Sequence, residues 1–544
     1  MFVIFEVLNF FRKESEELNK KLLIILIMSG FSNSTILASI NAAAQHFENK
    51  LTISIFFITF FLSLAAYYFF QKKYLNSMNI IIENVIVNIR EKLCRKVRSS
   101  DYYSIEQAGQ AQLLTRITKD TNIIGKTMPL IISAVQSTTL LIFGMIYILY
   151  LSTYIFLLLV GILIIAVFIF IFYIRIGKQL YQTADISIVK MWGDVLHLFH
   201  GFKEVKLNSK RSEEIIDTIS SSSKNVRDKC IEAMKMYYDN EIFIITVFLL
   251  MAGFVTFLFP VFVPMDKEIL LKIVAALFFL REPLTLFLKA IPMTIQASVA
   301  INNIKILEDK LENISNKYQC EEFKLTERFQ DFNKITLQNL KFRYKSIEDD
   351  KLFEAGPYNL TIKKGELIFI VGGNGSGKST FLKMLSYLYY ADAGSIKLDD
   401  EYITQANAQR YREMYSTVFS DFHLFDRLFG IQNIDEDEVN DLLVKMQINH
   451  KVSFEENKFS TKNLSTGQKK RLAFIIALLE DRPIYILDEW AAEQDPEFRN
   501  HYYTEILKEL KEKGKTLLVV THDDRYLHCA DRILKMEFGK IEEI

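Results

Sequence analysis

Cysteine is scarce. Cys94, Cys230, Cys320 and Cys529 are the only four in 544 residues, they stand far apart, and they match no metal or redox spacing. Each reads as structural, and a reduced, cytosolic setting suits the soluble parts. Net charge is absent as well: 65 basic residues offset 65 acidic ones, so no global basic field points to nucleic acid. What is abundant is apolar. Half the residues are hydrophobic, with 44 Phe and 25 Tyr. Long apolar runs fill roughly the first three hundred residues, and the rest alternates short apolar runs with charged helices. This reads as an all-α membrane domain over residues 1–310, a linker over 311–331 and an α/β domain over 332–544.

A membrane span needs about 20 apolar residues. Six windows qualify: 22–44, 51–70, 129–150, 154–174, 242–263 and 269–291. The first is too long and too polar-flanked for a secretory signal, and no convincing small-residue cleavage site follows it. The connections after the first, third and fifth windows are short. Those after the second and fourth run to about fifty to seventy residues, and segment 71–127 is rich in Lys and Arg. That bias predicts long loops and an N-terminus in the cytoplasm. The loops hold few glycines and prolines, so the spans should continue as helical rods below the membrane. At their bottoms, "DYYSIEQAGQAQLLTRITKD" (101–120) and "LFHGFKEVKLN" (198–208) each set a glycine among aromatic and charged residues, as a docking turn would. The sixth window holds Arg281, Glu282 and Lys289. A mid-membrane charge costs about 2.5–3.5 kcal/mol and faces protein or water. Glu282 and Lys289, seven apart, share one helix face. Together with Ser32, Asn33, Ser34, Thr35 and Asn41 of the first window, they suggest either a polar cargo cavity or internal pairing with snorkelling.

The second half carries chemistry. "GELIFIVGGNGSGKSTFLKML" reads as strand, glycine loop, helix. Within it Gly372, Gly373, Asn374, Gly375, Ser376, Gly377, Lys378 and Ser379 fit the phosphate-loop pattern in full. Glycines let backbone N–H groups turn in around phosphate oxygens at a helix N-terminus. Lys378 should reach the β- and γ-phosphates and Ser379 should bind Mg²⁺; Thr380 follows on the same helix and counts with the nucleotide contacts. "YILDEWAAEQDP" (485–496) is a buried strand that ends in two adjacent carboxylates, an arrangement that needs a cation nearby. The cation is Mg²⁺, helped by Lys378. Asp488 holds the metal, and Glu489 is free to orient and polarise the attacking water. His522 ends another strand, "KTLLVVTH", where it can contact the γ-phosphate and hold Glu489.

"NLSTGQKKRLAFIIALLEDRP" (463–483) decides the class. Its Leu464, Ser465, Thr466, Gly467 and Gln468 resemble the signature of ATP-binding-cassette ATPases, with Thr466 in place of the first glycine. The phosphate loop, this signature, the Asp488–Glu489 pair, a D-loop-like "AEQD" ending at Asp495, and His522 stand in the family's order. The resemblance implies that Tyr344 in "LKFRY" stacks on adenine. Six spans fused ahead of one cassette look like an exporter half-transporter. In that family two cassettes sandwich two ATP molecules, so the resemblance implies a C2 homodimer in which Ser465 and Gly467 touch ATP in trans. The glycine-bearing turns near Gly109 and Gly201 would be the coupling elements.

Closer still, "VFSDFHLFD" (418–426), "LSTGQKKRLA", "DEWAAEQDPEFR" (488–499) and "GFKEVKLN" resemble the bacterial cyclic-peptide exporter subfamily, which includes pyoverdine and syringomycin-type transporters. That implies export of a peptide-like cargo through the inner (plasma) membrane, with membrane lipid around the spans and no nucleic acid partner. A lipid or drug exporter, an importer and a non-transporting regulator stay open as alternatives. No peptidase domain precedes the first span, so leader removal is expected elsewhere. Trp490 belongs to the subfamily resemblance; its expected role is packing under the D-loop. Most cassettes carry a glutamine that reaches Mg²⁺ at the start of the loop to their helical subdomain. Here Ser420 falls at that place, followed by Asp421, and Ser420 is the expected metal-side contact.

Overall fold

The computed structural model describes residues 2–14, 20–45, 50–263, 266–317, 329, 331–344, 353–431 and 434–544. Two compact units divide the chain: Met1–Lys96 with Gly109–Lys310, and Val97–Ala108 with Leu311–Ile544.

The first unit is helical. A helix over Phe2–Glu14, which the apolar windows do not signal, buries Val7, Phe10 and Phe11. The long helices are Lys20–Gln45, Lys50–Ser99, Thr121–Leu151, Thr153–His200, Ser209–Gly253 and Lys267–Lys317. The second, fourth and fifth run far past the apolar windows, because their lower halves lack helix breakers. Among the described residues, four helices are long and apolar enough to cross a membrane. The fourth and sixth windows are not among them: the fourth counts only as a shorter apolar helix, Thr153–Ile162, and Lys272, Arg281, Glu282 and Lys289 dilute the apolar run of the sixth. The helix that carries it extends through Lys317, so the first part of the expected linker is helical, and residues 318–328 of that linker lie outside the described ones.

Helix packing in this unit is close. A β-carbon on Gly144 would come within 2.3 Å of Leu280 Cδ2, and one on Gly30 within 2.6 Å of Thr139 Oγ1. Ile148, Leu159, Phe248, Ile273, Ala276 and Leu280 form one buried cluster. Several polar residues of the first span are used internally. Ser32 donates to Met28 O, Thr35 pairs with Ser63 at 2.9 Å, and Asn41 donates to Tyr147 at 3.4 Å. Gln71 joins Ser29 to Gln136. In a bilayer such groups need partners within the protein. Lys92 sits 3.0 Å from both Glu14 and Glu308, which ties the N-terminal helix down.

The second unit is α/β. A six-stranded sheet runs β12-β11-β3-β10-β9-β6, with β3 at Leu367–Val371, β6 at Tyr415–Val418, β9 at Ile484–Asp488, β10 at Thr516–Val520, β11 at Arg532–Glu537 and β12 at Lys540–Glu543. All neighbours are parallel except β11 and β12. β9 and β10 are buried at every position, as a parallel sheet covered on both faces requires. A second, antiparallel sheet joins β1 (Lys334–Arg343), β2 (Glu354–Lys363), β4 (Ala393–Leu398) and β5 (Glu401–Tyr402) in the order β2-β1-β4-β5. A hairpin of β7 (Phe454–Glu455) and β8 (Lys458–Phe459) completes the strands. Parallel order brings the C-terminal ends of β3, β6, β9 and β10 to one edge, where α/β sheets bind ligands.

A short stretch from the first long loop belongs to this unit. Its helix, Tyr102–Ala108, is N-capped by Asp101, which accepts from Ser104 N at 2.9 Å. Tyr103 packs edge-on to Phe342, Tyr344 and Tyr389 at centroid distances of 5.2–5.9 Å. Glu106 pairs with Lys383 at 3.3 Å and accepts a hydrogen bond from Tyr389. Gly109, at φ +74°, ends this helix in a conformation that favours glycine.

Candidate functional site

β3 leads into the glycine loop, and the helix Lys378–Leu385 leaves it. Two glycines are sterically required. A β-carbon on Gly372 would meet Met536 O at 2.3 Å, and Gly377 lies at φ +100° as the helix N-cap. The loop, Tyr344 and Glu489 enclose a cleft of about 450 Å³, within the usual range for a small-molecule site. Lys378, buried beneath it, donates to Gly372 O at 2.9 Å and to Gly373 O at 3.1 Å. The hydroxyl of Ser376 is buried with no hydrogen-bond partner among the described residues. Asn374, Gly375, Ser379 and Thr380 all line the cleft.

Phe353, which no sequence pattern singles out, lines it too, 6.2 Å from the Tyr344 ring. Tyr344 is half-buried, and its hydroxyl sits 2.8 Å from Thr380 Oγ1.

β9 brings Asp488 to within 3.2 Å of the Ser379 hydroxyl, which donates to it. Burial pushes the Asp488 carboxyl up from its ordinary value; the Ser379 hydrogen bond and the adjacent Glu489 charge act in opposite senses on it. Among the described residues Asp488 makes no ion pair, so a buried carboxylate waits beside a hydroxyl without a cation. That suits a hard divalent ion. Mg²⁺ binds through one or two carboxylates, waters and substrate phosphates, so the absence of a larger cluster of metal-ligating side chains among the described residues is no obstacle. Ser420, just past β6, lies near Asp488, and its amide and hydroxyl favour the charged form of that carboxyl. The charge of Asp421 bears on Lys383 and Tyr102.

Glu489 follows in the left-handed region, φ 50° and ψ 36°, a conformation that costs a residue with a β-carbon about 1–2 kcal/mol. Its carboxylate lies 3.1 Å from His522 Nε2 and 3.9 Å from Lys378 Nζ. Four elements thus meet: the glycine loop, the ends of β9 and β10, and the exit of β6.

The signature caps the helix Thr466–Glu480. Ser465 and Gln468 form a reciprocal capping box. Gly467 is packed so tightly that a β-carbon would fall 2.6 Å from Glu493 O, whereas Thr466 is exposed. That difference explains why a threonine is tolerated at the first position and a glycine is kept at the second. Leu464 is buried. Arg471 reaches Gln494 at 2.7 Å and Asp495 at 2.6 Å, and Asp495 also caps the following helix by accepting from Phe498 N. Trp490 is fully buried, stacked on Tyr502 with ring centroids 4.4 Å apart. The span residues Arg281, Glu282 and Lys289 lie in the other unit. All three are exposed, while Leu280, Leu288 and Ile291 beside them are buried.

Comparison with known proteins agrees along the chain. Residues 22–256 match the ABC transporter transmembrane region and residues 356–492 match the ABC transporter family model. The ATP-binding protein SyrD of Pseudomonas syringae pv. syringae is 33% identical over 468 residues, covering 84% of this chain and 82% of that one. The arginine transport ATP-binding protein ArtM of Bacillus subtilis is 34% identical over 200 residues, 34% of this chain and 81% of its own. A bacterial Atm1-family ABC exporter solved with ATP bound has the same fold, with a TM-score of 0.74 at 16% identity over 97% of this chain and 95% of that one. The chain belongs to the ABC transporter family. It is an exporter half-transporter, a helical membrane domain fused to a cassette that hydrolyses ATP with Mg²⁺ to drive transport.

Proposed function

We propose that two copies of this chain form a C2 homodimer that exports a peptide-like cargo (a cyclic peptide, lipopeptide or peptide siderophore) out of the bacterial cytoplasm by alternating access. The support for the cargo class is the set of segments at 201–208, 418–426, 464–473 and 488–499 that resemble the cyclic-peptide exporters, in a chain related to SyrD along most of its length. The cassette and the N-terminus lie on the cytoplasmic side, as the Lys- and Arg-rich first loop favours.

Lys378 and the inward N–H groups of the glycine loop grip the phosphates, and Tyr344 faces the base. Ser379, Asp488 and Ser420 would hold Mg²⁺, which supplies charge neutralisation at the phosphates. Glu489 polarises the water and His522 steadies its carboxylate. Ser465, Gly467 and the rest of the signature, with Asp495, complete the partner's site. To swing the spans from 1:99 to 99:1, ATP must favour the closed pair by about 5.5 kcal/mol.

The direct test is uptake into inside-out vesicles. Labelled cyclic peptide should accumulate in an ATP-dependent way, while labelled lipid and a hydrophobic drug should not. Lipid or drug uptake alone would transfer the chain to that cargo class. A variant without ATPase activity that keeps the biological phenotype would favour a non-transporting regulator.

Two smaller predictions follow from named residues. Arg281, Glu282 and Lys289 are exposed on the sixth span, where cargo or a second copy can meet them. Lys289→Gln should therefore change cargo-stimulated ATPase more than basal ATPase; equal effects on both would reduce these charges to pairing. Near the metal, Ser420→Ala should raise the Mg²⁺ concentration for half-maximal ATPase by about 3- to 10-fold, the equivalent of one hydrogen bond of about 1 kcal/mol. Asp421→Asn should leave it nearly unchanged. The reverse pattern would give Asp421 the metal-side role.

A further inference from the structure

Lys470 lies one turn into the signature helix and is buried, at 4% exposure. Its Nζ donates to the main-chain oxygen of Glu489 at 2.8 Å and stands 3.7 Å from the Glu493 carboxylate. Its own main-chain oxygen accepts from Trp490 Nε1 at 2.8 Å. The two hydrogen bonds run in opposite directions between the same two segments, so the signature helix and the turn after β9 are latched together. An ammonium is an expensive group to bury for one carbonyl and one half-exposed carboxylate. A leucine or methionine would fill the space at less cost. What the ammonium holds is the backbone of Glu489.

That backbone needs holding. Glu489 is in the left-handed region, which an ordinary residue keeps only when its surroundings enforce it. Its N–H donates to Val520 O at 3.2 Å, and its C=O accepts from Lys470. With both peptide groups pinned, the direction of the side chain is set, and the carboxylate arrives beside His522 Nε2 and Lys378 Nζ. Trp490 stiffens the latch from below, against Tyr502 and Phe474.

We propose that Lys470, braced by Trp490, is the positioning residue for Glu489, holding the strained turn that aims its carboxylate at the attacking water. The inference rests on reading Glu489 as the group that polarises that water. Neither Lys470 nor Trp490 is among the residues lining the nucleotide cleft. Their effect belongs in turnover and not in ATP binding.

The test uses the full chain in lipid nanodiscs. Lys470→Met keeps the aliphatic stem and removes the donor. It should lower kcat for ATP hydrolysis by about 30- to 100-fold, the scale of a misaimed catalytic group, while KM and the Kd for Mg-ATP stay within about twofold. Lys470→Arg, which restores a donor, should recover much of kcat. Trp490→Phe keeps the ring stack, loses the N–H, and should cost about 3- to 10-fold in kcat alone. In a Glu489→Gln background, Lys470→Met should lower the residual turnover no further, because residues that act through one group are not additive. If Glu489→Gln is inactive but Lys470→Met and Trp490→Phe turn over normally, the brace is wrong and the role of Glu489 stands. If Glu489→Gln turns over normally, the reading beneath the brace is wrong. Equal losses from Lys470→Met with and without Glu489, or a Kd that rises as kcat falls, would make Lys470 a packing residue and overturn the proposal. Should Lys470→Met not assemble, Trp490→Phe in both backgrounds decides between the same outcomes.

Discussion

Glu489→Gln is expected to lower single-turnover ATP hydrolysis by roughly 10²–10⁴-fold, the range for loss of a positioned general base, with ATP and Mg²⁺ binding intact. Glutamine has nearly the shape of glutamate, so the turn at φ 50° and the contact to His522 Nε2 at 3.1 Å can persist. What disappears is the charge. Asp488 and the Ser379 hydroxyl keep their direct contact without that charge, and Lys378 loses only its 3.9 Å pairing while still donating to Gly372 O and Gly373 O. Removing one of two adjacent carboxylates also lessens the repulsion facing the γ-phosphate. ATP should therefore bind at least as well as in the wild type, and the paired cassettes should stay closed on it. Size-exclusion or crosslinking experiments with Mg-ATP would show the closed dimer accumulating, and a rapid-quench assay would show the lost step. Full single-turnover activity would hand the work to another group, with His522 the nearest.

How far this site can be read from the sequence depends on what each residue answers to. The glycine loop is legible because its backbone demands are absolute: a β-carbon on Gly372 collides with Met536 O. Asp488 and Glu489 stand out because two acids at the end of a buried strand have no other economical use. Four of the membrane helices are legible from apolar length, and their continuation past the apolar windows from the lack of breakers. Other features answer to contacts made only after the chain folds back on itself. Phe353 meets the Tyr344 ring, and nothing in its neighbours marks it. Glu106 and Tyr103 join the cassette's aromatic cluster through side chains whose sequence context reads as an ordinary turn. Lys470 looks like one member of a basic run, and only its burial against Glu489 sets it apart. The polar residues of the first span have a sequence pattern that fits a cavity equally well; Thr35 and Asn41 are instead paired to neighbouring helices.

Lys378→Ala is expected to act on binding, where Glu489→Gln acts on chemistry. The Lys378 ammonium is buried beneath the glycine loop and, among the described residues, has only two main-chain oxygens and a distant Glu489 carboxylate, 3.9 Å away, as partners. A cation so placed is poised to exchange weak neutral acceptors for phosphate oxygens. Truncating one partner of a buried charge pair costs about 2–4 kcal/mol, roughly a 30- to 1000-fold rise in Kd for ATP. The fold should survive. The loop is held without the lysine, by Ser376 N to Gly373 O at 3.2 Å and Phe381 N to Gly377 O at 2.9 Å, and the glycine conformations do not involve the side chain. A thermal melt of the nucleotide-free protein should therefore change little, while the stabilisation that ATP adds to the wild type should largely vanish. Lys378→Arg should not restore binding, because a planar guanidinium needs more room than this buried position offers. Titration with a fluorescent ATP analogue separates the cases. A near-normal Kd in Lys378→Ala, with turnover abolished, would move Lys378 from gripping the ground-state phosphates to stabilising the transition state alone.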